Sequence, residues 1–177
     1  MIRIRGAGSG QFLMEMVIAA GFFMLCVAIC VSAFVRADHL SRVGQDVNHG
    51  VLAAESLVER VKAGNTEDFG TYEPDEAFGT VFENWRTKDP EASAVYQSIK
   101  DGGEVRNYQI LWDKEWNSYP DTKELEKNGK KLAYVGMITT GVKDQMKEIA
   151  VVIFGYGTYG DQGYKIYHLF AEQYVKP

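Results

Sequence analysis

The sequence predicts an α+β chain: a long N-terminal helix, membrane-spanning and then amphipathic, packed on a C-terminal four-stranded antiparallel sheet. Three observations lead there. From Met16 to Val35 no Asp, Glu, Lys, Arg or His occurs, a run of 20 residues, the length that crosses a bilayer as a helix. Beyond Arg36, the residues Leu40, Val43, Val47, Val51, Ala54, Val58 and Val61 recur at spacings of 3, 4, 4, 3, 4 and 3, the stripe of an amphipathic helix. After Val105 the pattern changes to short segments rich in Val, Ile, Tyr, Phe and Trp, the composition of strands.

The helical reading covers residues 11–64, with the span at about 12–35. No proline interrupts from Gln11 to Ala63, and Gly64-Asn65 supplies a stop. A helix from Phe12 to Ala63 would extend ~78 Å at 1.5 Å per residue. Leu52 and Leu57 lie off the stripe and are expected to widen its apolar face. Gly21, Gly44 and Gly50 are weak points, each costing up to ~1 kcal/mol relative to Ala. Ahead of the run stands "MIRIRGAGSG", residues 1–10, with two arginines and no acid. Arg3 and Arg5 favour an amino end inside the cytoplasm and everything after Val35 outside it. A cleaved signal peptide, with "VSAF" as its cleavage region, is the competing reading of this stretch.

Residues 65–104 form an acidic connecting segment with two short helices. "TYEPDEAFGTVFENWR" places Ala77, Phe78, Val81, Phe82 and Trp85 at helical spacing. In "KDPEASAVYQSIKDGG", Asp89 is an N-cap, Pro90 occupies the first turn and Gly102-Gly103 ends the helix. From Thr66 to Glu104 there are ten acids and three bases, read as a solvated face because no calcium-loop spacing repeats. Residues 105–177 hold the strands "VRNYQILWDKEW", "KLAYVGMITTGV", "MKEIAVVIFGYG" and "YKIYHLFAEQYV", the last three joined by the turns "KDQ" and "TYGDQG". That order is an antiparallel meander. Its apolar face needs a cover, and the stripe from Leu40 to Val61, especially its later half, is the candidate.

The net charge is −5, unevenly placed: six Lys/Arg against five Asp/Glu up to Gly64, thirteen against nineteen from Asn65 on. No basic face points to nucleic acid. Cys26 and Cys30, four apart in the apolar run, read as small apolar side chains of a membrane helix. "GYGTYG" matches a dinucleotide-loop pattern, but no helix, further strand and acid follow it. His39, His49 and His168 are too scattered for a metal site. Tyr156, Tyr159, Tyr164, Tyr167, Trp112 and Trp116 read as sheet packing in preference to a sugar platform. No catalytic residue and no cofactor or metal is called for, and the chain is not read as an enzyme.

One carboxylate, Glu15, stands at the mouth of the apolar run in "GQFLMEMVIAAGFF". A charge there is costly and calls for a partner. A basic leader ending in Gly10, the junction Gly10–Gln11, then Leu13 and Glu15, the fifth residue after that glycine, together resemble the type IV prepilin class. That class holds pilins, minor pilins and secretion pseudopilins. Gln11 and Phe12 depart from the usual Phe and Thr, and the helix lacks the proline common in major pilins, which points to a minor-pilin or pseudopilin-like subunit.

The resemblance implies a pilin-like fold and cleavage between Gly10 and Gln11 by a membrane prepilin peptidase, which methylates the new amino group. It implies assembly through the N-terminal helix with other pilin-like subunits, on an inner-membrane platform, after a stage in membrane lipid. Glu15 of one subunit would then meet the Gln11 ammonium of its neighbour. The expected location is the cytoplasmic membrane, single-pass, with the C-terminal domain outside and in a filament or at the cell surface after assembly. The alternative is a membrane-anchored or secreted extracytoplasmic binding module with no filament role.

Overall fold

The computed structural model describes residues 8–72, 77–156 and 164–175. The chain divides into two compact units, Met1–Gln45 and Asp46–Pro177. Helix α1, Gly8–Ala63, runs through both as one element of 56 residues, so it begins two residues before the Gly10–Gln11 junction. It ends as the Gly64-Asn65 pair predicts. Gly64 adopts φ +80°, its N–H donates to Val61 O at 3.2 Å, and Asn65 N donates to Arg60 O at 2.9 Å.

In the first unit, the described side chains from Phe12 to Gln45 are exposed apart from half-buried Cys26 and Val43. Phe12, Leu13, Phe22, Phe23, Met24 and Phe34 are all more than half exposed. The most apolar 18-residue window reaches a mean hydropathy of 2.6 with none of it buried in the protein. By length and composition this is one helix able to cross a membrane.

The second unit is built on an antiparallel sheet. Its strands are β1 (Gly70–Thr71), β2 (Arg106–Trp112), β3 (Ser118–Tyr119), β4 (Tyr134–Lys143), β5 (Met146–Gly155) and β6 (Tyr164–Tyr174). The order is β1-β2-β4-β5-β6, with β3 also paired to β2. The sheet has six strands, not the four expected. The four predicted strands are there as neighbours, and the two additions are two-residue pairings too short to leave a periodic signal. The connection from β2 to β4 carries β3 and a helix the sequence reading passed over, α4 (Thr122–Lys127), whose N-cap Asp121 accepts from Glu124 N. The β4–β5 hairpin turns on Asp144 and Gln145, at φ +50° and +65°, within the expected "KDQ". The "TYGDQG" turn lies outside the described residues.

Both faces of the sheet are covered. On one face Ala54, Leu57, Val58 and Val61 of α1 pack with Ile110, Trp112, Ile138, Ile149, Val151 and Ile153. On the other, Phe82 of α2 (Ala77–Arg86) and Tyr96 and Ile99 of α3 (Pro90–Asp101) pack with Leu111, Val135, Met137, Ala150, Val152 and Phe154. The acidic segment is thus a structural layer and not a connector alone: its apolar residues face the sheet while Glu91 and Asp101 face out. Asp89 caps α3 by accepting from Ala92 N at 3.2 Å, and Pro90 follows in the first turn.

Only the later half of the predicted α1 stripe is core. Leu40 is 72% and Val47 38% exposed, and Leu52, expected to widen the apolar face, is 58% exposed. Leu57 does widen it, at 2%. Gly50, read as a weak point, is a contact. A Cβ on it would lie 2.8 Å from Ile166 Cγ2. The register of β6 shifts beside Ile153 and Phe154, where Tyr167 pairs with Ile153 and Lys165 with Phe154. Ile166 is the extra residue of this bulge, and both Ile166 and Tyr167 pack against the α1-side core.

Candidate functional site

Helix α1 carries every residue the sequence marks for processing and assembly. Gly10 is exposed, and a Cβ there would meet nothing within 4 Å. No packing in the described protein therefore demands glycine at this position. Glu15 is exposed and is the one charged residue between Gly8 and Val35. No ion pair to it occurs among the described residues. Positions 11 and 15 are four apart in one helix, a rise of about 6 Å along its axis. In the uncut chain the nitrogen of residue 11 is a peptide N–H; it becomes a cation only if the bond to Gly10 is broken. A helix beginning at residue 11 would hold Glu15 near the positive end of its dipole, where a carboxylate is stabilised.

In the second unit the aromatic residues flagged by the sequence are packed. Trp112 is 6% exposed. Trp116 lies against Tyr134, ring centroids 4.1 Å apart and 16° from parallel, and against His49 at 5.4 Å. Two phenols converge on Asp46, Tyr134 donating at 2.7 Å and Tyr164 at 3.1 Å. Tyr167 is half-buried against the α1-side core. Tyr159 lies outside the described residues. His168 stands across the sheet beside Trp85, ring centroids 5.7 Å apart.

The loop after β2 holds a polar centre that the sequence reading did not single out. Asp113 is 1% exposed. One carboxylate oxygen accepts from the N–H groups of Glu115 and Asn117, both at 3.0 Å, and the other from Asn117 Nδ2 at 2.9 Å. Burial alone would raise its pKa; the Asn117 and Glu115 hydrogen bonds and the Lys130 charge outweigh it, and the carboxyl is held down at about 2. Lys130 Nζ bridges Asp113 at 3.5 Å and Glu115 at 3.1 Å. The spacing Asp113, Glu115, Asn117 was the available signal. In the folded chain the Lys130 ammonium sits between the two carboxylates. Among the described residues no three His, Cys, Asp or Glu side chains gather to hold a metal ion. The loop carries Trp116, at φ +61°, stacked against Tyr134.

Comparison with protein-family models, curated proteins and solved structures finds no match.

Proposed function

We propose that the chain is a structural subunit of the type IV pilin-like class, of minor-pilin or pseudopilin character, processed at Gly10–Gln11 and assembled through α1. The supporting observation is the division of labour along one helix. Its first half is apolar with none of its best span buried, while Ala54, Leu57, Val58 and Val61 of the same element are core residues of a sheet domain. A helix used only as an anchor has no need to form one layer of the domain that it anchors. Exposed apolar side chains need lipid or other helices to cover them, and a filament supplies the second where a membrane supplied the first.

The leader glycine adds to this. Because the described packing leaves room for a side chain at residue 10, the requirement expected for glycine falls on an outside agent. A peptidase that must reach the scissile backbone is such an agent.

Co-expression with a prepilin peptidase, extraction from membranes and intact-mass measurement test the proposal. The expected product lacks residues 1–10 and begins at Gln11, with or without one methyl group. Gly10→Val is expected to leave the full-length precursor. A mature chain that retains Met1 or begins after Ala33, or a Gly10→Val variant cut like the wild type, overturns the assignment.

A further inference from the structure

A cavity of about 610 Å³ opens where the C-terminal end of α1 meets the ends of β2, β4, β5 and β6. Its size is in the range of small-ligand sites. Lys62, Arg106 and Lys147 line it against one carboxylate, Glu104. That balance is inverted in a unit, Asp46–Pro177, with fifteen basic and twenty-two acidic residues.

Two of the cations are paired: Lys62 with Glu59 at 3.1 Å and Arg106 with Glu104 at 2.9 Å. Lys147 is not. No carboxylate lies within ion-pair distance of it among the described residues. Among the described residues its one acceptor is Val61 O, at 2.8 Å, in the last turn of α1. An ammonium has three N–H donors, so two are left over. The group is half-buried, and burial, then the Arg106 charge, pull its pKa below the usual lysine range. A partly desolvated cation facing a like charge gains from an anion between them. The carbonyl end of α1 gives Lys147 a single bond, since Val61 O is shared with Gly64 N and Arg60 O accepts from Asn65 N. The hydroxyl-bearing Thr66 and Thr140 line the same cavity, partners for a ligand with hydroxyls of its own.

We infer that this cavity binds a small oxyanion, a carboxylate or phosphate carried on a polyhydroxylated body of sugar-acid or sugar-phosphate size. The oxyanion bridges Lys147 and Arg106, and the body meets the threonine side.

The full chain in nanodiscs of zwitterionic lipid, titrated calorimetrically with glucuronate, glucose 6-phosphate and neutral glucose, tests this. Saturable binding of either anion, with no binding of glucose, is expected, and which anion binds tells carboxylate from phosphate. Arg106→Gln, an exposed position that keeps the α1 contact of Lys147, is expected to weaken binding about tenfold. Lys147→Met is expected to abolish it, with near-ultraviolet circular dichroism reporting whether the fold persists. The inference fails if neither anion saturates up to about 20 mM. It also fails if glucose binds equally, or if Arg106→Gln binds with wild-type affinity.

Discussion

The side-chain carbon that residue 50 lacks would sit 2.8 Å from Ile166 Cγ2, so the α1 glycine and the bulge residue of β6 are two halves of one contact. Helix propensity alone says that Gly50→Ala should stabilise by up to ~1 kcal/mol. Overpacking against a stiff β-branched side chain costs about 1–3 kcal/mol. The expected result is net destabilisation of about 1 kcal/mol, relieved in Gly50→Ala with Ile166→Leu, whose side chain lacks the Cγ2 branch that residue 50 would meet. Gly44→Ala, with nothing within 4 Å, is expected to stabilise by about 0.5–1 kcal/mol. Denaturant unfolding of the full chain in detergent, with the three variants side by side, reads these signs.

Asp113 makes the second unit sensitive to acid. Its folded pKa, held down at about 2, lies below that of an unfolded aspartate near 3.8. The stability it contributes is therefore fully present above about pH 4 and is lost as the pH falls from there through about 2. Asp113→Asn is expected to flatten the stability profile between pH 4 and 2 and to cost about 1.5–3 kcal/mol at neutral pH. An unchanged acid limb in that variant would place the sensitivity elsewhere.

The hairpin turn offers a stabilising change. Asp144 and Gln145 both adopt left-handed backbone angles, as a two-residue hairpin turn of the favoured type requires, and glycine is the preferred second residue. Gln145→Gly removes a side-chain cost of about 1–2 kcal/mol but also the exposed hydrogen bond from the Tyr174 hydroxyl, 2.9 Å. A gain of about 0.5–1 kcal/mol is expected, read as a rise in melting temperature.

Glu15 separates insertion from assembly in the proposed subunit. Glu15→Val removes the one charge of the apolar segment, so membrane insertion and cleavage after Gly10 are expected to continue. Filament incorporation is expected to fall, since a neighbour's ammonium left unpaired in low dielectric costs ~3–5 kcal/mol. Glu15→Asp should be intermediate. Membrane-fraction and sheared-filament levels give the comparison, and equal incorporation of Glu15→Val would leave the carboxylate no pairing role.

What could be read from the sequence depended on the kind of signal. Helix α3 was legible to the residue because Asp89, Pro90 and Gly102 each have a local physical role. The four long strands were legible by composition. The second covered face was missed although "IAVVIF", residues 149–154, announced it: a run with no polar alternation has no face to give to water. Helix α4 was missed although Asp121 and Glu124 stand at cap spacing. The Asp113 centre was harder, because hydrogen bonds to backbone N–H groups follow from a loop path that no pattern encodes. Of the candidate site, Gly10 and Gln11 came from a motif alone and Glu15 from the cost of its charge as well, and folding adds position but no partner, since the chemistry proposed for them begins only when a bond is cut and a second chain arrives.

The placement of the tryptophans across the sheet has an optical consequence. Trp112 and Trp116 are in contact on the α1 side, ring centroids 5.6 Å apart, and Trp85 stands on the opposite side against Phe154. Each layer thus contains its own fluorophore, and none lies in the apolar first half of α1. A chain that keeps only Trp85 reports the α2–α3 layer, and one that keeps only Trp112 and Trp116 reports the layer made by α1. Emission from the two chains during unfolding distinguishes a domain that melts as one body from one that sheds its acidic layer first and stays attached to its long helix.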